Sequence, residues 1–365
     1  MKPLIVDLGT AWRGGQNQAL LTLKGLQERG HQPELVATKD SALAERARVR
    51  GIPVHIAEPP LLFWQAARAI RRVLQEHSVD LVHANEAHAL TAAWLARAHR
   101  HVPFIISRRV GYPLKRNPLA LARYRAASRI IANSRWVAAQ AASSGAPQEK
   151  LTVVYDGVEI PAPLTAEARQ AARARWGIEP DDPLFGCVGV LLPDKGQEWL
   201  IRALALVRAE FPNSRLLLAG DGPCRPALEQ LARELGLANA VIFAGFVRDI
   251  ESVYAALDAF LFPSVFEGLG TSLQAAMAWE LPVVTTGCSG PAELVEDERA
   301  GLIVEAKSEG FSNAMLRLLR EPALAQSLGI AARRRAIERF SAAQMVEGTL
   351  RVYREAVGEK QGSRL

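Results

Sequence analysis

The sequence predicts an α/β protein of two doubly wound domains, each a parallel sheet with helices on both faces. Apolar runs of strand length alternate with segments of helical periodicity along the whole chain, which favours parallel strands joined by helices. The length of 365 residues exceeds what one ordinary hydrophobic core encloses. The alternation also restarts after a proline-rich segment in mid-chain, so we expect two domains that bind ligands at the carboxyl ends of their strands.

The first half begins with the buried strand 3–9, followed by a helix whose apolar residues recur at helical spacing up to Gly30. The loop between them carries Gly14 and Gly15. Further strands are predicted at 33–39, 53–58, 79–84, 104–109, 129–134 and 151–157, with helices at 41–51, 61–77, between 84 and 104 and between 109 and 129. These elements make up a predicted domain of residues 1–160.

The segment 157–183 is the best candidate for a linker, because it has a proline-rich entry, a charged helix and a second turn with proline. The strands predicted after it are 183–191, 214–220, 240–247, 259–262, 281–286 and 301–306. Helices are expected within 191–212, at 226–237 and 271–279, from 289, and in a tail from Glu309 that breaks near Pro322 and Phe340. This gives a second domain of residues 161–340, and we expect the helix of about 341–365 to pack back on the first domain.

The stretch from Ala259 to Val295 has the features of a site for an anion and hydroxyl groups. Pro263 ends its first strand because proline has no N–H group to donate. A loop with Glu267 follows, then a helix for which Ser264 or Thr271 is the expected cap. A helix N-terminus attracts phosphate, and a carboxylate accepts hydrogen bonds from sugar hydroxyls. The same residues also fit an ordinary strand–loop–helix unit whose glycines only turn the chain.

Composition excludes several classes of protein. We expect no transmembrane helix, because the chain has no apolar run of about eighteen residues. An amino-terminal strand with Asp7 inside it is not typical of a signal peptide. The 3 scattered cysteines indicate neither a disulfide framework nor a metal cluster and fit a reducing cytoplasm. A NAD-dependent oxidoreductase is disfavoured, because no strand is followed by the complete dinucleotide-binding glycine pattern.

The net charge of +6 is concentrated in the basic region 97–135. No acidic residue occurs between Glu86 and Glu149, whereas lysines and arginines are frequent there. Such a surface attracts anionic lipid or an anionic acceptor, and no nucleic-acid-binding motif accompanies it. We therefore expect a cytoplasmic protein without nucleic-acid partners that makes a peripheral contact with the inner face of a membrane. A solvated basic face is the alternative.

The second half resembles the donor-binding domain of the retaining GT-B glycosyltransferases of family 4, also called group 1. The similarity extends over nearly the whole chain and is dense from Phe185 to Val304, where VGVLLPDKG, AGDGP and the Glu267 loop occur in the family's order. The resemblance implies the GT-B fold, two Rossmann-like domains facing across a cleft. It also implies transfer of a hexose from a nucleotide diphosphate sugar to a cell-envelope glycan, lipopolysaccharide or glycolipid acceptor. The donor is a substrate, so no cofactor is expected.

The resemblance also assigns roles to individual residues. Glu267 matches the glutamate that faces the transferred sugar, and Lys195 matches the lysine that binds the donor diphosphate. His83 matches the first histidine of a strand-end motif and is assigned to catalysis. The other residues assigned to donor binding are Gly14, Gly15, Gly220, Gly222, Phe246, Val247, Gly268, Leu269, Gly270 and Thr271. The residues expected to contact an acceptor or a phosphate are Asn85, Arg108 and Arg109.

Two positions depart from the family pattern. Ala275 stands where the family has a second glutamate that binds the ribose, and Val190 stands where it has an arginine for the diphosphate. Gln274 is adjacent to Ala275 but points to a different side of the helix. These losses keep two alternatives open: a degenerate sugar-nucleotide-binding or scaffold protein, and a GT-B epimerase or phosphorylase-like enzyme.

The expected chemistry follows from the residues that remain. No Asp-x-Asp metal signature occurs at a strand end, so we expect no metal site and a diphosphate stabilised by Lys195 and helix N-termini. The resemblance implies attack on the same face as the leaving group. A diphosphate oxygen would then assist deprotonation of the acceptor.

Overall fold

The computed structural model describes residues 1–58, 62–115 and 117–362. The chain divides into two compact units, one of Met1–Gly157 together with Ala342–Leu365 and one of Val158–Ser341. We call them the N-terminal unit and the C-terminal unit. Both are built on a parallel sheet with interleaved helices, so the predicted α/β fold class is confirmed. Leu61, the predicted start of one helix, and Arg116 of the basic region lie outside the described residues.

The N-terminal unit contains a seven-stranded parallel sheet of order β3-β2-β1-β4-β5-β6-β7. Its strands are β1 Pro3–Asp7, β2 Glu34–Thr38, β3 Val54–Ala57, β4 Leu81–Ala84, β5 Phe104–Arg108, β6 Arg129–Ala132 and β7 Leu151–Val153. The strand order reverses between β1 and β4. In sheets of this kind, ligands bind beyond the carboxyl ends of the strands at that reversal.

Helices cover both faces of this sheet. They are α1 Gly14–Glu28, α2 Ala42–Val49, α3 Leu62–Glu76, α4 Ala87–Leu95, α5 Ala98–His101, α6 Pro118–Arg125, α7 Arg135–Ser143 and, from the end of the chain, α15 Ala342–Gly362. Helices α1, α2 and α15 enclose one core with the sheet, and α3 and α4 enclose the other. Ser41, Asn117 and Ser134 accept backbone N–H hydrogen bonds as caps of α2, α6 and α7.

The C-terminal unit contains a six-stranded parallel sheet of order β10-β9-β8-β11-β12-β13. Its strands are β8 Leu184–Val188, β9 Arg215–Ala219, β10 Val241–Gly245, β11 Ala259–Phe262, β12 Val283–Thr286 and β13 Leu302–Val304. Its helices are α8 Ala166–Arg175, α9 Gln197–Arg208, α10 Arg225–Glu234, α11 Glu251–Ala256, α12 Thr271–Ala278, α13 Ser308–Arg320 and α14 Pro322–Phe340. The strand order reverses between β8 and β11, so the loops after these strands lie at the second switch point.

Two local expectations were wrong, the helix from 289 and the side-chain cap of α12. The helix expected from 289 is only a short 3₁₀ turn, Gly290–Glu293. The N-cap of α12 is Gly270, with no side-chain cap, so neither Ser264 nor Thr271 caps this helix. The charged helix of the linker candidate is α8, which the ion pairs of Arg169 and Arg173 with Asp258 hold on the C-terminal unit.

None of the helices in the described part of the chain combines the length and the apolar character that crossing a membrane requires.

Candidate functional site

An ion pair lies at the carboxyl ends of the central strands of the C-terminal unit. Lys195, in the loop after β8, donates a 2.6 Å hydrogen bond from Nζ to Oε1 of Glu267, in the loop after β11. The two side chains are 19% and 27% exposed, so solvent still reaches both of them. The backbone N–H of Val265 donates to the carbonyl of Asp194 at 3.3 Å, which joins the two loops directly. The two sequence-predicted charged residues are therefore brought together, and a second carboxylate, that of Asp194, lies 3.8 Å from the Lys195 Nζ atom.

Ser289 holds the backbone of the Glu267 loop in place. Its hydroxyl accepts a 3.2 Å hydrogen bond from the Glu267 N–H group, and the next residue, Gly290, donates to the Glu267 carbonyl at 3.3 Å. Ser289 has φ +54° and ψ −146°, a conformation that costs a residue with a side chain about 1–3 kcal/mol. Strain of this kind clusters at functional sites. Sequence reasoning missed Ser289, because nothing in a short polar loop marks which serine adopts this conformation.

Glycines let the loops of this site touch backbone to backbone. A Cβ atom on Gly290 would lie 1.9 Å from the carbonyl oxygen of Gly268. Gly270 has φ +101° and is the N-cap of α12, whose first turn has no side-chain cap. Uncapped N–H groups of a first turn are available to an anion. Leu269, between Gly268 and Gly270 in the sequence, is buried. Thr271 is the first residue of α12.

A second set of glycine contacts joins the loops after β8, β9 and β10. A Cβ atom on Gly220 would lie 1.9 Å from the carbonyl oxygen of Gly189, and one on Gly222 would lie 2.4 Å from that of Leu191. The N–H group of Gly220 donates to the Gly245 carbonyl at 2.8 Å. Gly220 and Gly222 are each required by a close backbone approach, so packing accounts for these two glycines before any ligand is considered.

Phe246 and Val247 follow β10 at this edge of the sheet. Phe246 is 73% exposed, which is unusual for a large aromatic side chain and leaves its ring face available for stacking. Val247 is partly buried.

The two departures from the family pattern lie on the surface of the site. Val190 is 52% exposed in the loop after β8, where the family has an arginine. Ala275 is partly exposed and lies one helical turn after Thr271, so the two residues share a face of α12. Gln274 is fully buried and faces the interior, so its amide does not replace a carboxylate at position 275.

In the N-terminal unit, a buried polar network lies at the ends of β1 and β4. The Asn85 Nδ2 group donates to Oδ2 of Asp7 at 2.6 Å and to the carbonyl of Gly15 at 3.0 Å. Gln16 donates to Asp7 at 3.1 Å, and Arg109 donates to Oδ1 of Asn85 at 2.7 Å. This network fixes the loop with Gly14 and Gly15 against the sheet. Asp7 and Gln16 were not among the predicted site residues, although an aspartate that ends a buried strand is a recognisable signal.

The glycine loop of this unit leaves open space. Gly14 is the first residue of α1, and a Cβ atom on Gly15 would meet nothing within 4 Å. Packing within the protein therefore gives no reason for glycine at position 15. The close approach of a ligand to this backbone remains as a physical reason.

Both arginines expected to contact an acceptor or a phosphate are bound within the N-terminal unit. Arg109 pairs with Asp156 at 2.8 Å in addition to its bond with Asn85. Arg108 is buried and donates to the Tyr124 hydroxyl at 3.0 Å and to the carbonyl of Tyr112. In this arrangement their guanidinium groups position neighbouring residues, and a ligand would have to compete for them.

His83 is buried in the N-terminal unit. Its Nδ1 atom lies 2.6 Å from the Tyr353 hydroxyl on α15, and its Nε2 atom lies 2.7 Å from the Ser107 hydroxyl on β5. Burial, with a smaller effect of the Arg109 charge, lowers the pKa of His83 to about 3. A neutral, enclosed imidazole with both nitrogens bonded joins α15 to the sheet. The assignment of His83 to catalysis stays a prediction.

Comparison with known proteins gives a consistent result for both units. Residues 182–321 match the family model described as "Glycosyl transferases group 1", and residues 12–160 match that of "Glycosyltransferase Family 4". The chain is 30% identical over 324 residues to a D-inositol 3-phosphate glycosyltransferase of Kineococcus radiotolerans, covering 79% of this chain and 74% of the relative. It is 29% identical over 360 residues to the GDP-mannose-dependent alpha-(1-6)-phosphatidylinositol monomannoside mannosyltransferase of Mycolicibacterium smegmatis, covering 90% of this chain and 91% of the relative.

Other matches are shorter or structural. The chain spans 55% and 50% of the length of two further relatives, from Methanocaldococcus jannaschii and Bacillus subtilis. Among solved structures it is similar to Anabaena HepE in complex with UDP and glucose, with a TM-score of 0.82, 25% identity and coverage of 97% of this chain and 100% of the other.

Proposed function

The chain belongs to the group 1 glycosyltransferases of family 4 and has their GT-B fold, and we propose that it moves a hexose from a nucleotide diphosphate sugar to a lipid-linked or glycan acceptor of the cell envelope. We further propose that the anomeric configuration is retained and that no metal ion is required. The observation that carries the proposal is the Lys195–Glu267 pair in the glycine-lined loops at the second switch point.

The pair supplies the two charges that such a donor needs. Lys195 is the cation for the diphosphate, and the uncapped N-terminus of α12 adds N–H groups and the positive end of a helix dipole. Glu267 is the anion that accepts hydrogen bonds from sugar hydroxyls. Without a ligand, each charge satisfies the other. Donor binding would exchange this contact for two new ones, Lys195 to phosphate and Glu267 to the sugar.

The relatives support a nucleotide sugar as donor but differ in its base. The structure of Anabaena HepE contains UDP and glucose, whereas the mycobacterial relative is named as GDP-mannose-dependent. The exposed ring of Phe246 offers a stacking surface that both uracil and guanine fit. We therefore propose a nucleoside diphosphate hexose and leave the base to experiment.

The proposed chemistry breaks the bond from the anomeric carbon to the diphosphate oxygen while the acceptor hydroxyl attacks from the same face. The proton of that hydroxyl passes to the leaving diphosphate. Lys195 stabilises the charge that develops on the diphosphate, and Glu267 stabilises the positive charge that develops on the sugar. Charge stabilisation by fixed protein groups replaces a divalent ion in this scheme.

The surface of the basic region fits an acceptor held at an anionic membrane. Tyr112 and Leu119 are exposed apolar side chains within 97–135, the region that lacks acidic residues. Exposed apolar groups among cations bind the interface of anionic bilayers. The mycobacterial relative is named for a phosphatidylinositol-linked acceptor. We propose a peripheral contact through this region.

A panel of UDP-, GDP-, ADP- and CMP-hexoses tests the proposal by thermal shift. One donor at about a hundred times its Kd should stabilise the protein by about 2.7 kcal/mol. With that donor, NMR of the product gives the anomeric configuration. If no nucleotide sugar binds at millimolar concentration, a scaffold role replaces the enzymatic one. Product with inverted configuration would overturn the retaining mechanism alone.

A further inference from the structure

A glutamate and two histidines meet at the amino-terminal edge of the sheet in the N-terminal unit. Glu34 is the first residue of β2, and His55 is the second residue of β3. Val36 and His55 are register partners, so Glu34 and His55 point to the same face of the sheet. Helix α3 packs on this face and ends at Glu76, which brings His77 over the beginnings of both strands. The fold therefore assembles the cluster from three separate segments.

The three side chains are arranged around one point. The Glu34 carboxylate lies 2.7 Å from Nε2 of His55 through one oxygen and 2.8 Å from Nδ1 of His77 through the other. One oxygen and the two ring nitrogens all lie within 4.8 Å of one another. The imidazole rings are nearly perpendicular, at 80°, with centroids 5.5 Å apart. The nitrogens thus converge on the carboxylate and the rings do not stack.

We propose that Glu34, His55 and His77 form a binding site for a divalent transition metal ion, with Zn²⁺ as the preferred ion. Two imidazole nitrogens and one carboxylate oxygen form a ligand set that Zn²⁺ uses, with water as the fourth ligand. Ligands at about 2.0–2.1 Å in tetrahedral geometry lie about 3.4 Å apart. The two nitrogen–oxygen contacts, now 2.7 and 2.8 Å, would lengthen to that value on binding. The nitrogen ligands disfavour Mg²⁺ and Ca²⁺, which prefer oxygen.

The electrostatic environment favours a cation at this position. Glu34 supplies the one carboxylate of the cluster, beside the two ring nitrogens, and a carboxylate binds metal ions in its deprotonated form. The carboxyl end of α3 points its partial negative charge at the same place, because His77 directly follows the helix.

The position separates this site from the sugar-transfer chemistry. Asp7 and Asn85 lie at the carboxyl ends of β1 and β4, whereas the cluster lies at the opposite edge of the same sheet. A metal ion here would join the start of β2, the start of β3 and the end of α3. We therefore expect it to stabilise the N-terminal unit and to leave the rate of glycosyl transfer unchanged.

Metal titration of the full, untagged chain, stripped with EDTA and desalted, tests the site. We expect one Zn²⁺ ion per chain in competition with a chromophoric chelator, and an increase of the Tm on binding. Co²⁺ in place of Zn²⁺ should give the visible absorption of a four-coordinate nitrogen and oxygen site, a readout on the wild type that needs no variant. The proposal would be overturned if Zn²⁺ binding does not saturate at Zn²⁺ concentrations up to about 100 times the protein concentration.

Variants locate the ion. His55→Gln and His77→Gln should each weaken Zn²⁺ binding at least tenfold, about the loss expected when a metal site is disturbed. His88→Gln is the matched control, because His88 is an exposed histidine of the same unit and lies outside the cluster. Equal affinity in the wild type and in the His55→Gln/His77→Gln double variant would show that the ion binds elsewhere. The cluster would then be only a hydrogen-bonded triad.

Discussion

The Lys195–Glu267 ion pair predicts how substitution of each residue changes the affinity for a nucleoside diphosphate. If Lys195 must leave Glu267 to bind phosphate, substitutions of the two residues should change the affinity for a nucleoside diphosphate in opposite directions. Lys195→Met deletes the cation and weakens binding. Glu267→Gln deletes the competing anion, so Lys195 is released at lower cost and binding becomes tighter.

The magnitudes follow from the geometry of the pair. A charge-assisted hydrogen bond contributes about 1.5–3 kcal/mol, and the 19% and 27% exposure of the two side chains places this pair near the lower value. Since about 1.4 kcal/mol corresponds to a factor of ten, Lys195→Met should weaken diphosphate binding by about tenfold or more. Glu267→Gln should tighten it by up to about tenfold. The same Glu267→Gln variant should lower kcat by roughly a hundredfold or more, as loss of a transition-state contact typically does.

Calorimetry with UDP and GDP and steady-state kinetics with the matching donor measure both effects. Glu198→Gln is the control, because Glu198 is an exposed glutamate of the first turn of α9, close to Lys195 in sequence. Its affinity and kcat should equal those of the wild type. If Glu267→Gln weakens diphosphate binding as much as Lys195→Met does, the two residues do not compete and the proposed exchange is wrong. An unchanged kcat in Glu267→Gln would remove this residue from the mechanism.

Four further predictions test separate parts of the site and fold. Ala275→Glu should tighten donor binding by a charge-assisted contact of about 1.5–3 kcal/mol to the ribose, measured by calorimetry; unchanged or weaker binding would show that this face of α12 does not meet the ribose. Gly15→Ala should not lower the Tm, because its Cβ meets nothing within 4 Å and alanine favours a helix, yet it should bind donor more weakly, whereas the helical control Gly358→Ala should likewise not lower the Tm and should bind donor as the wild type does; normal donor binding by Gly15→Ala would exclude close approach of the ligand. Glycosyl transfer should persist in EDTA, and a loss that Mg²⁺ restores would contradict the metal-independent scheme. The neutral, buried His83, with a pKa of about 3 against 6.5 unfolded, contributes stability above pH 6.5 that is lost as the pH falls toward 3; acid unfolding followed by circular dichroism should be less steep in His83→Gln, and identical curves would contradict this assignment.

Much of the fold could be predicted because its signals are local. Alternating apolar strands and amphipathic helices repeat along the chain. Gly220 and Gly222 lie where loops approach each other closely, and Gly270 has a positive φ. The missed elements lack such signals. Helix α11 has only six residues, Glu251–Ala256, too few to display a period. The turn at Gly290 is not an α-helix, because its backbone is bound to the Glu267 loop.

The site could be predicted only where one segment carries the information. Glu267 and Lys195 each lie in a recognisable loop, and the parallel strand order brings those loops together. His83 is different, because the residue that encloses it, Tyr353, lies 270 positions later in the sequence. No local pattern reveals which distant helix covers a strand-end histidine. The motif predicts a site role for His83, and the tertiary structure adds two buried hydrogen bonds that the motif does not predict.

Val190 and Ala275 replace two charged residues of the family pattern, which raises the question whether the chain is still an active enzyme. Both positions are at least partly exposed, so neither substitution removes support from the core. The costly features of the site are elsewhere: the strained backbone of Ser289 and the contact that requires glycine at 290. About 1–3 kcal/mol of backbone strain beside the Lys195–Glu267 ion pair is of no use to a scaffold protein that only presents a binding surface. It is useful to a catalytic site that must hold a carboxylate in one orientation. The geometry that positions Glu267 is intact, and this favours an active transferase with fewer contacts to the nucleotide.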